Sequence, residues 1–161
     1  MSAWLSRAYL ASLLSFGACA DPDVEVKVPT PDIVSFEATV YPILLRDCGF
    51  PACHGDTRRF FRIFGPGRTR YRPKEVTALF APPTAEELTA TYYRARSMLV
   101  SDGRVEDSPL LQKPLFAGHE GEDEWGQNVY WHPNDPSYQA LLRWAYSQRG
   151  GPAPLDAGVG P

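Results

Sequence analysis

The stretch Cys48-Gly49-Phe50-Pro51-Ala52-Cys53-His54 places two thiols and an imidazole within seven residues. It follows a run from Ser35 to about Asp47, in which apolar residues recur at helical spacing and predict an amphipathic helix. Pro42 lies inside that pattern, so it either kinks this helix or opens a shorter one at its first turn. Because thiols and imidazoles bind metals and form covalent bonds, we expect the chemistry of the chain at the end of this helix.

Three chemistries fit two cysteines and a histidine at this spacing. In covalent haem attachment, two cysteines add to the porphyrin vinyl groups and an adjacent histidine ligates the iron, usually as C-x-x-C-H. Here the spacer has four residues, which gives C-x4-C-H, and Cys53 and His54 stay adjacent. The alternatives are a Cys48–Cys53 disulfide and structural zinc with His119 or His132 as a fourth ligand. Zinc is disfavoured because no second cysteine pair accompanies the first.

The flanks of this motif resemble the haem-attachment segment of c-type cytochrome domains. The lead-in from Phe36 to Leu44 fits the pattern F-x(3)-V-x-P-I-L, and Cys53-His54-Gly55 follows it. Two later stretches, Ser108 to Gly121 and Asp135 to Trp144, are similar to the S-x-L-L-x-K-x(n)-H-x-G and Y-x-x-L-x-x-W elements of that family. The resemblance covers most of residues 36–144. The departures are the four-residue spacer and residues 58–83, which have no counterpart.

The resemblance implies a mainly α fold, a small cytochrome c-like domain with long loops wrapped around one covalent haem. Cys48 and Cys53 would form the thioethers, and His54 would be the proximal iron ligand. The second axial ligand of such an iron is usually Met or His. The resemblance favours His119, in a glycine-rich loop, with Met98 as the second choice and His132 as the third.

Capping signals predict two more helices. One runs from Thr84 to about Leu99 and opens with a capping box. The other opens at Asp135-Pro136, an N-cap followed by a first-turn proline, and ends at Gly150. A shorter turn starts at Ser108-Pro109. Strand signals are weak, which also favours a mainly α class.

The two ends of the chain read as segments outside the folded domain. Residues 1–18 combine a positive start, a short apolar run and small residues, which is typical of a secretory signal. The run Phe16-Gly17-Ala18-Cys19 resembles a bacterial lipobox, which implies lipid on Cys19 after cleavage. Ordinary cleavage near Ala18 or Ala20 is the alternative. Residues 19–34 are predicted to be a tether, 35–149 the domain and 150–161 a disordered tail.

Composition restricts the function further. The chain has 161 residues, a formal net charge of −3 and three cysteines, which suits one domain. No apolar run predicts a membrane span within that domain. Seven cations lie in residues 58–74, but the near-neutral total and the export signal argue against a nucleic-acid partner. This segment is expected to be a solvated loop whose aromatic residues cap the core, and the alternative is that one or two of its arginines hold haem propionates. An acidic cluster, Glu120 to Glu124, could dock a basic redox protein or pair with the arginine-rich segment of this chain.

The expected function is that of a membrane-tethered monohaem c-type cytochrome, which carries single electrons outside the cytoplasm between redox proteins. Electron transfer is favoured over enzyme activity, because two axial ligands leave no open position for substrate. One alternative is a five-coordinate haem enzyme or a gas or redox sensor. The other is a haem-free surface lipoprotein, an interaction module with a Cys48–Cys53 disulfide.

Overall fold

The computed structural model describes residues 29–76, 78–100, 103–115 and 129–147. Within these ranges the chain is mainly helical and has no β-strand, which confirms the predicted class. The α-helices are α1 (Ile33–Ser35), α2 (Tyr41–Asp47), α3 (Ala85–Ser97), α4 (Pro109–Gln112) and α5 (Pro136–Tyr146). A π-helical turn, Phe36–Val40, joins α1 to α2, and the 3-10 turns Val105–Asp107 and Lys113–Leu115 flank α4. None of the helices in these ranges has the length and apolar content needed to cross a membrane.

The helix predicted before the cysteines forms, with a change of winding next to its proline. The side chain of Asp32 caps α1 and accepts a hydrogen bond from the Ser35 amide at 2.6 Å. In the π-helical turn, the Tyr41 amide donates to the Phe36 carbonyl, five residues back. Pro42 has no amide hydrogen, and it occupies the first turn of α2, where such a hydrogen is least needed.

The two predicted caps are confirmed. The Thr84 hydroxyl accepts from the Glu87 amide at 3.2 Å, and the Glu87 carboxylate accepts from the Thr84 amide at 3.0 Å. At α5, the Asp135 carboxylate accepts from the amides of Ser137 and Tyr138 at 2.7 and 3.2 Å. Both helices therefore begin where their local hydrogen bonds place them.

The last helix ends earlier than predicted. It stops at Tyr146, and Ser147 already has an extended backbone. The Ser147 amide donates to the Arg143 and Trp144 carbonyls, and its hydroxyl accepts from the Asp32 amide across the domain at 3.1 Å. Gly150, the predicted end, lies outside the described residues.

An aromatic cluster packs the first helix against α3 and α5. The Phe36 ring lies 5.4 Å from that of Tyr92 and 5.2 Å from that of Trp144. Aliphatic side chains from these elements, from the end of α3 and from α4 complete the core, namely Val40, Leu44, Leu99, Leu111 and Leu141. In this packing α2 contacts α3, α4 contacts α5, and α5 contacts the π-helical turn.

Residues 29–34, predicted to belong to the tether, pack on the domain. The Tyr92 hydroxyl donates to the Pro31 carbonyl and the Arg96 guanidinium to the Pro29 carbonyl, both at 2.7 Å. The Trp144 indole donates to the Asp32 carbonyl at 3.0 Å. The packed part of the chain therefore includes Pro29 and the residues that follow it. The predicted signal, Cys19 and the tail lie outside the described residues.

Residues 58–83, which the family resemblance leaves unmatched, contribute to the core. Ile63 and Phe64 are buried, and the Tyr41 hydroxyl donates to the Phe64 carbonyl at 2.9 Å. Arg70 forms a two-pronged ion pair with Glu87 in α3, and the two side chains are 6% and 1% exposed. This segment is thus joined to α2 and to the start of α3.

Candidate functional site

A cavity of about 500 Å³ lies beside the cysteine-histidine motif. Cys48, Cys53, His54 and Met98 all line it. Apolar side chains cover much of the remaining wall, including Leu44, Phe61, Leu110 and Leu141. This volume and largely apolar lining are typical of sites for small molecules and cofactors.

The four residues between the cysteines form a loop whose two ends are joined by a backbone hydrogen bond. The His54 amide donates to the Cys48 carbonyl at 3.0 Å, which closes the loop. Inside it, the amides of Cys53 and Gly55 both donate to the Phe50 carbonyl, at 2.9 and 2.8 Å. The Phe50 side chain is 45% exposed, and Pro51 is also exposed. The loop therefore brings both cysteines and the histidine to one cavity in spite of its extra length.

Gly55 allows this loop to close tightly. A Cβ atom at this position would lie 2.5 Å from the Gly49 carbonyl oxygen and 2.8 Å from the Phe50 carbonyl oxygen. These are backbone atoms, which cannot move without opening the loop. A glycine directly after the histidine is therefore a steric requirement of this structure.

His54 is fixed by residues that follow it in the chain. Its Nδ1 lies 2.9 Å from the Phe61 carbonyl oxygen. Because a carbonyl only accepts hydrogen bonds, Nδ1 carries the proton, and in the neutral ring the lone pair is on Nε2. The Phe61 ring packs on the imidazole at 4.7 Å, and the Ile63 amide donates to the His54 carbonyl at 2.8 Å. Metal-ligating histidines are commonly oriented by a hydrogen bond of this kind.

Both cysteines of the motif are free thiols in the structure. Burial, followed by the nearby Asp47 and Cys53, raises the pKa of Cys48 to about 12. Cys48 is therefore an uncharged thiol at neutral pH, and its side chain behaves as part of an apolar wall. Among the residues that the structure describes, no group of three or more His, Cys, Asp and Glu side chains is arranged to hold a metal ion.

The three candidate distal ligands have different positions. Met98 follows α3 and lines the cavity, and its carbonyl accepts from the Leu110 amide of α4 at 3.0 Å. His132 is exposed, and its Nδ1 accepts from the Asn134 amide at 3.0 Å. His119 lies outside the described residues. Of the candidates that the structure describes, Met98 is the one on the cavity wall.

Charged side chains also reach the cavity. Arg59 and Lys113 supply positive charge on its wall, and Asp47 supplies negative charge. The sequence placed seven cations in residues 58–74, and Arg59 is the member of that group on the wall. Others have different roles, since Arg68 covers the Phe50 ring at 4.1 Å and Arg70 pairs with Glu87.

Two features of the site lie beyond sequence reasoning. The Phe61 carbonyl carries no side-chain signal, because every residue has a carbonyl oxygen. The contact between the Tyr130 hydroxyl and Asp47, at 3.1 Å, joins residues 83 positions apart.

Comparisons of the chain with protein-family models, curated proteins and solved structures gave no match.

Proposed function

We propose that this protein is a monohaem c-type cytochrome that carries single electrons. The observation that supports it most is the convergence of Cys48, Cys53, His54 and Met98 on one cavity of about 500 Å³. Two thiols for thioether bonds and two iron-ligating side chains are the groups that a covalent haem needs. The haem itself would supply the one-electron chemistry, and the protein would supply attachment, ligands and a dry environment.

The geometry at His54 supports its role as the proximal ligand. The Phe61 carbonyl holds the proton on Nδ1, which leaves the lone pair of Nε2 to ligate iron. Cys53 is adjacent to it, and the loop hydrogen bond from His54 to Cys48 keeps the first thiol nearby. Both thiols therefore line the cavity that would hold the haem.

For the sixth position, Met98 is the candidate supported by the cavity, and His119 is the one supported by the family resemblance. Iron with Met as its sixth ligand has a higher reduction potential than iron with His. A filled sixth position leaves no site for substrate, which favours an electron carrier over an enzyme or a gas sensor. A five-coordinate haem is the second candidate if neither side chain ligates.

Two cations on the wall suit the carboxylates of haem. Arg59 and Lys113 line the same cavity as the motif, and charge-assisted hydrogen bonds to carboxylates are among the stronger ones in proteins. Arg59 can bind such a group in two-pronged fashion, whereas Lys113 acts as a point charge.

We propose further that the protein acts outside the cytoplasm, with lipid on Cys19 as its membrane anchor. The signal-like residues 1–18 and the lipobox-like run support this proposal. Redox proteins would be its partners, and the acidic cluster from Glu120 to Glu124 is a candidate docking surface for a basic one.

The decisive experiment is haem-stained denaturing gel electrophoresis of the protein matured in a bacterium with cytochrome c assembly proteins. We expect a stained band for the wild type and for Cys19→Ala, and none for the Cys48→Ser/Cys53→Ser double variant. Cys19→Ala should also leave the membrane fraction. A colourless wild-type protein with a Cys48–Cys53 disulfide would overturn the proposal in favour of a haem-free module.

A further inference from the structure

One acidic side chain on the cavity wall has no part in the attachment described above. Asp47 is the last residue of α2, directly before Cys48, and its side chain is 17% exposed. The Arg46 guanidinium contacts both of its oxygens, at 2.5 and 2.8 Å. The Tyr130 hydroxyl donates to Oδ2 at 3.1 Å. The carboxylate is thus held on the wall by two partners from different parts of the chain.

The C-terminal end of a helix is an unfavourable position for a carboxylate. The carboxyl end of a helix has a partial negative charge, so an anion there is destabilising. Its ionic partner, Arg46, is 64% exposed, so water screens that pair. Tyr130 is only 3% exposed, and its amide donates to the Pro114 carbonyl at 3.0 Å, which anchors the hydroxyl in place. Of the two partners, the buried Tyr130 therefore holds the carboxylate in the contact that water screens less.

The negative charge of Asp47 acts on the attachment site. It contributes, after burial, to the raised pKa of Cys48. Burial, the Cys48 thiol and Asp47 together raise the pKa of Tyr130, so its hydroxyl remains a donor at neutral pH. Arg59 and Lys113 are the opposing charges on the wall, and Lys113 is exposed. Screening weakens an exposed charge more than one held in a partly buried network.

We propose that Asp47, held on the cavity wall by Tyr130, lowers the reduction potential of the haem that Cys48 and Cys53 attach. The inference rests on the proposed function. Oxidised haem carries one more positive charge than reduced haem, and a nearby fixed carboxylate stabilises that charge. Asp47 is therefore an electrostatic tuning residue, and Tyr130 is its positioning residue.

Potentiometric titration of the haem-loaded protein tests this proposal. Asp47→Asn keeps the size of the side chain and an acceptor for Tyr130, but it removes the charge. We expect the one-electron equilibrium to shift about tenfold toward the reduced form, a rise of about 59 mV. Tyr130→Phe should shift it in the same direction by a smaller factor, because the carboxylate then loses its buried donor and keeps the exposed Arg46 as its partner. Asp107→Asn is the matched control, since Asp107 pairs with Arg104 in an exposed contact away from the cavity wall.

The outcomes separate this inference from the proposed function. A wild-type protein without a haem-stained band overturns both. Haem-loaded Asp47→Asn with an unchanged or lowered potential overturns the tuning role alone. If Asp47→Asn does not acquire haem, Tyr130→Phe decides, because an unchanged potential in that variant contradicts the role given to the pair. A shift of equal size in Asp107→Asn also refutes it, because the effect would then be one of net charge.

Discussion

The buried ion pair between Arg70 and Glu87 gives the sharpest stability prediction. Glu87 is 1% exposed and accepts four hydrogen bonds, two from Arg70 at 2.8 Å and one each from the amides of Tyr71 and Thr84 at 3.0 Å. It therefore ties the 58–83 segment to the helix that ends beside Met98. Glu87→Gln would replace a charged acceptor by an amide and leave the guanidinium buried without a counter-ion.

The magnitude follows from that burial. Removing one partner of a buried ion pair typically costs about 3–5 kcal/mol of the free energy of unfolding. For a domain of about 100 residues, each kcal/mol lowers the melting temperature by roughly 4–8 °C, so we expect a drop of at least ~12 °C. Glu86→Gln is the matched control one position away. The Glu86 side chain is 54% exposed and contacts an equally exposed Arg72 at 2.9 Å, so its loss should cost less than about 0.5 kcal/mol.

The pH dependence has a defined sign. Burial, the largest influence, raises the pKa of Glu87, but hydrogen bonds from Arg70, Thr84 and Tyr71 and the charge of Arg70 lower it below its ordinary value overall. A carboxyl whose folded pKa is lowered stabilises the fold fully above its unfolded pKa, about 4.3, and this contribution is lost as pH falls through the folded value. Wild-type stability should therefore decline in acid below that range, and Glu87→Gln should lack this part of the decline.

Urea and thermal unfolding of the three proteins, followed by circular dichroism at several pH values, measure both effects. The reasoning is refuted if Glu87→Gln and Glu86→Gln lose the same stability. It is also refuted if the acid-dependent part is unchanged in Glu87→Gln.

Three further predictions concern the site and the core. Gly55→Ala should lower the free energy of unfolding by about 1–3 kcal/mol, because the new Cβ meets backbone atoms. Gly103→Ala is the control and should change it by less than ~0.5 kcal/mol, because the nearest atom is 4.0 Å away. Equal losses in urea titrations would contradict this. Met98→Leu should change the free energy of unfolding by less than about 1.5 kcal/mol. The reduced haem form of this variant should bind carbon monoxide, which the wild type should not bind. Identical spectra of the two proteins under that gas would exclude Met98 as ligand. Trp144→Phe should cost about 0.5–1.5 kcal/mol in thermal unfolding, the net value of one hydrogen bond, because the Asp32 carbonyl loses the indole donor but keeps the Phe36 amide; an unchanged melting temperature would contradict this.

Local signals predicted the helices well because they depend on neighbours in the chain. The capping box of Thr84 and the cap of Asp135 act within three residues, so their patterns are visible in the sequence. The proline in the first helix was also visible, but the π-helical turn before it was not. The end of α5 was placed too late, because the pattern did not show that Ser147 closes the helix with its amide and accepts a hydrogen bond from the distant Asp32 amide.

By itself, the sequence determined a mainly helical domain and singled out two cysteines and a histidine as its chemical centre. Only the tertiary structure decided which groups surround that centre. His54 and Met98 are 44 positions apart and line one cavity, and Asp47 on the same wall is hydrogen-bonded to Tyr130, 83 positions away. Residue patterns encode short-range hydrogen bonds and periodic burial, whereas a cavity wall depends on how distant segments pack. For the same reason, residues 58–83, which the family resemblance left unmatched, supply the carbonyl that orients His54 and the arginine that pairs with Glu87 in α3.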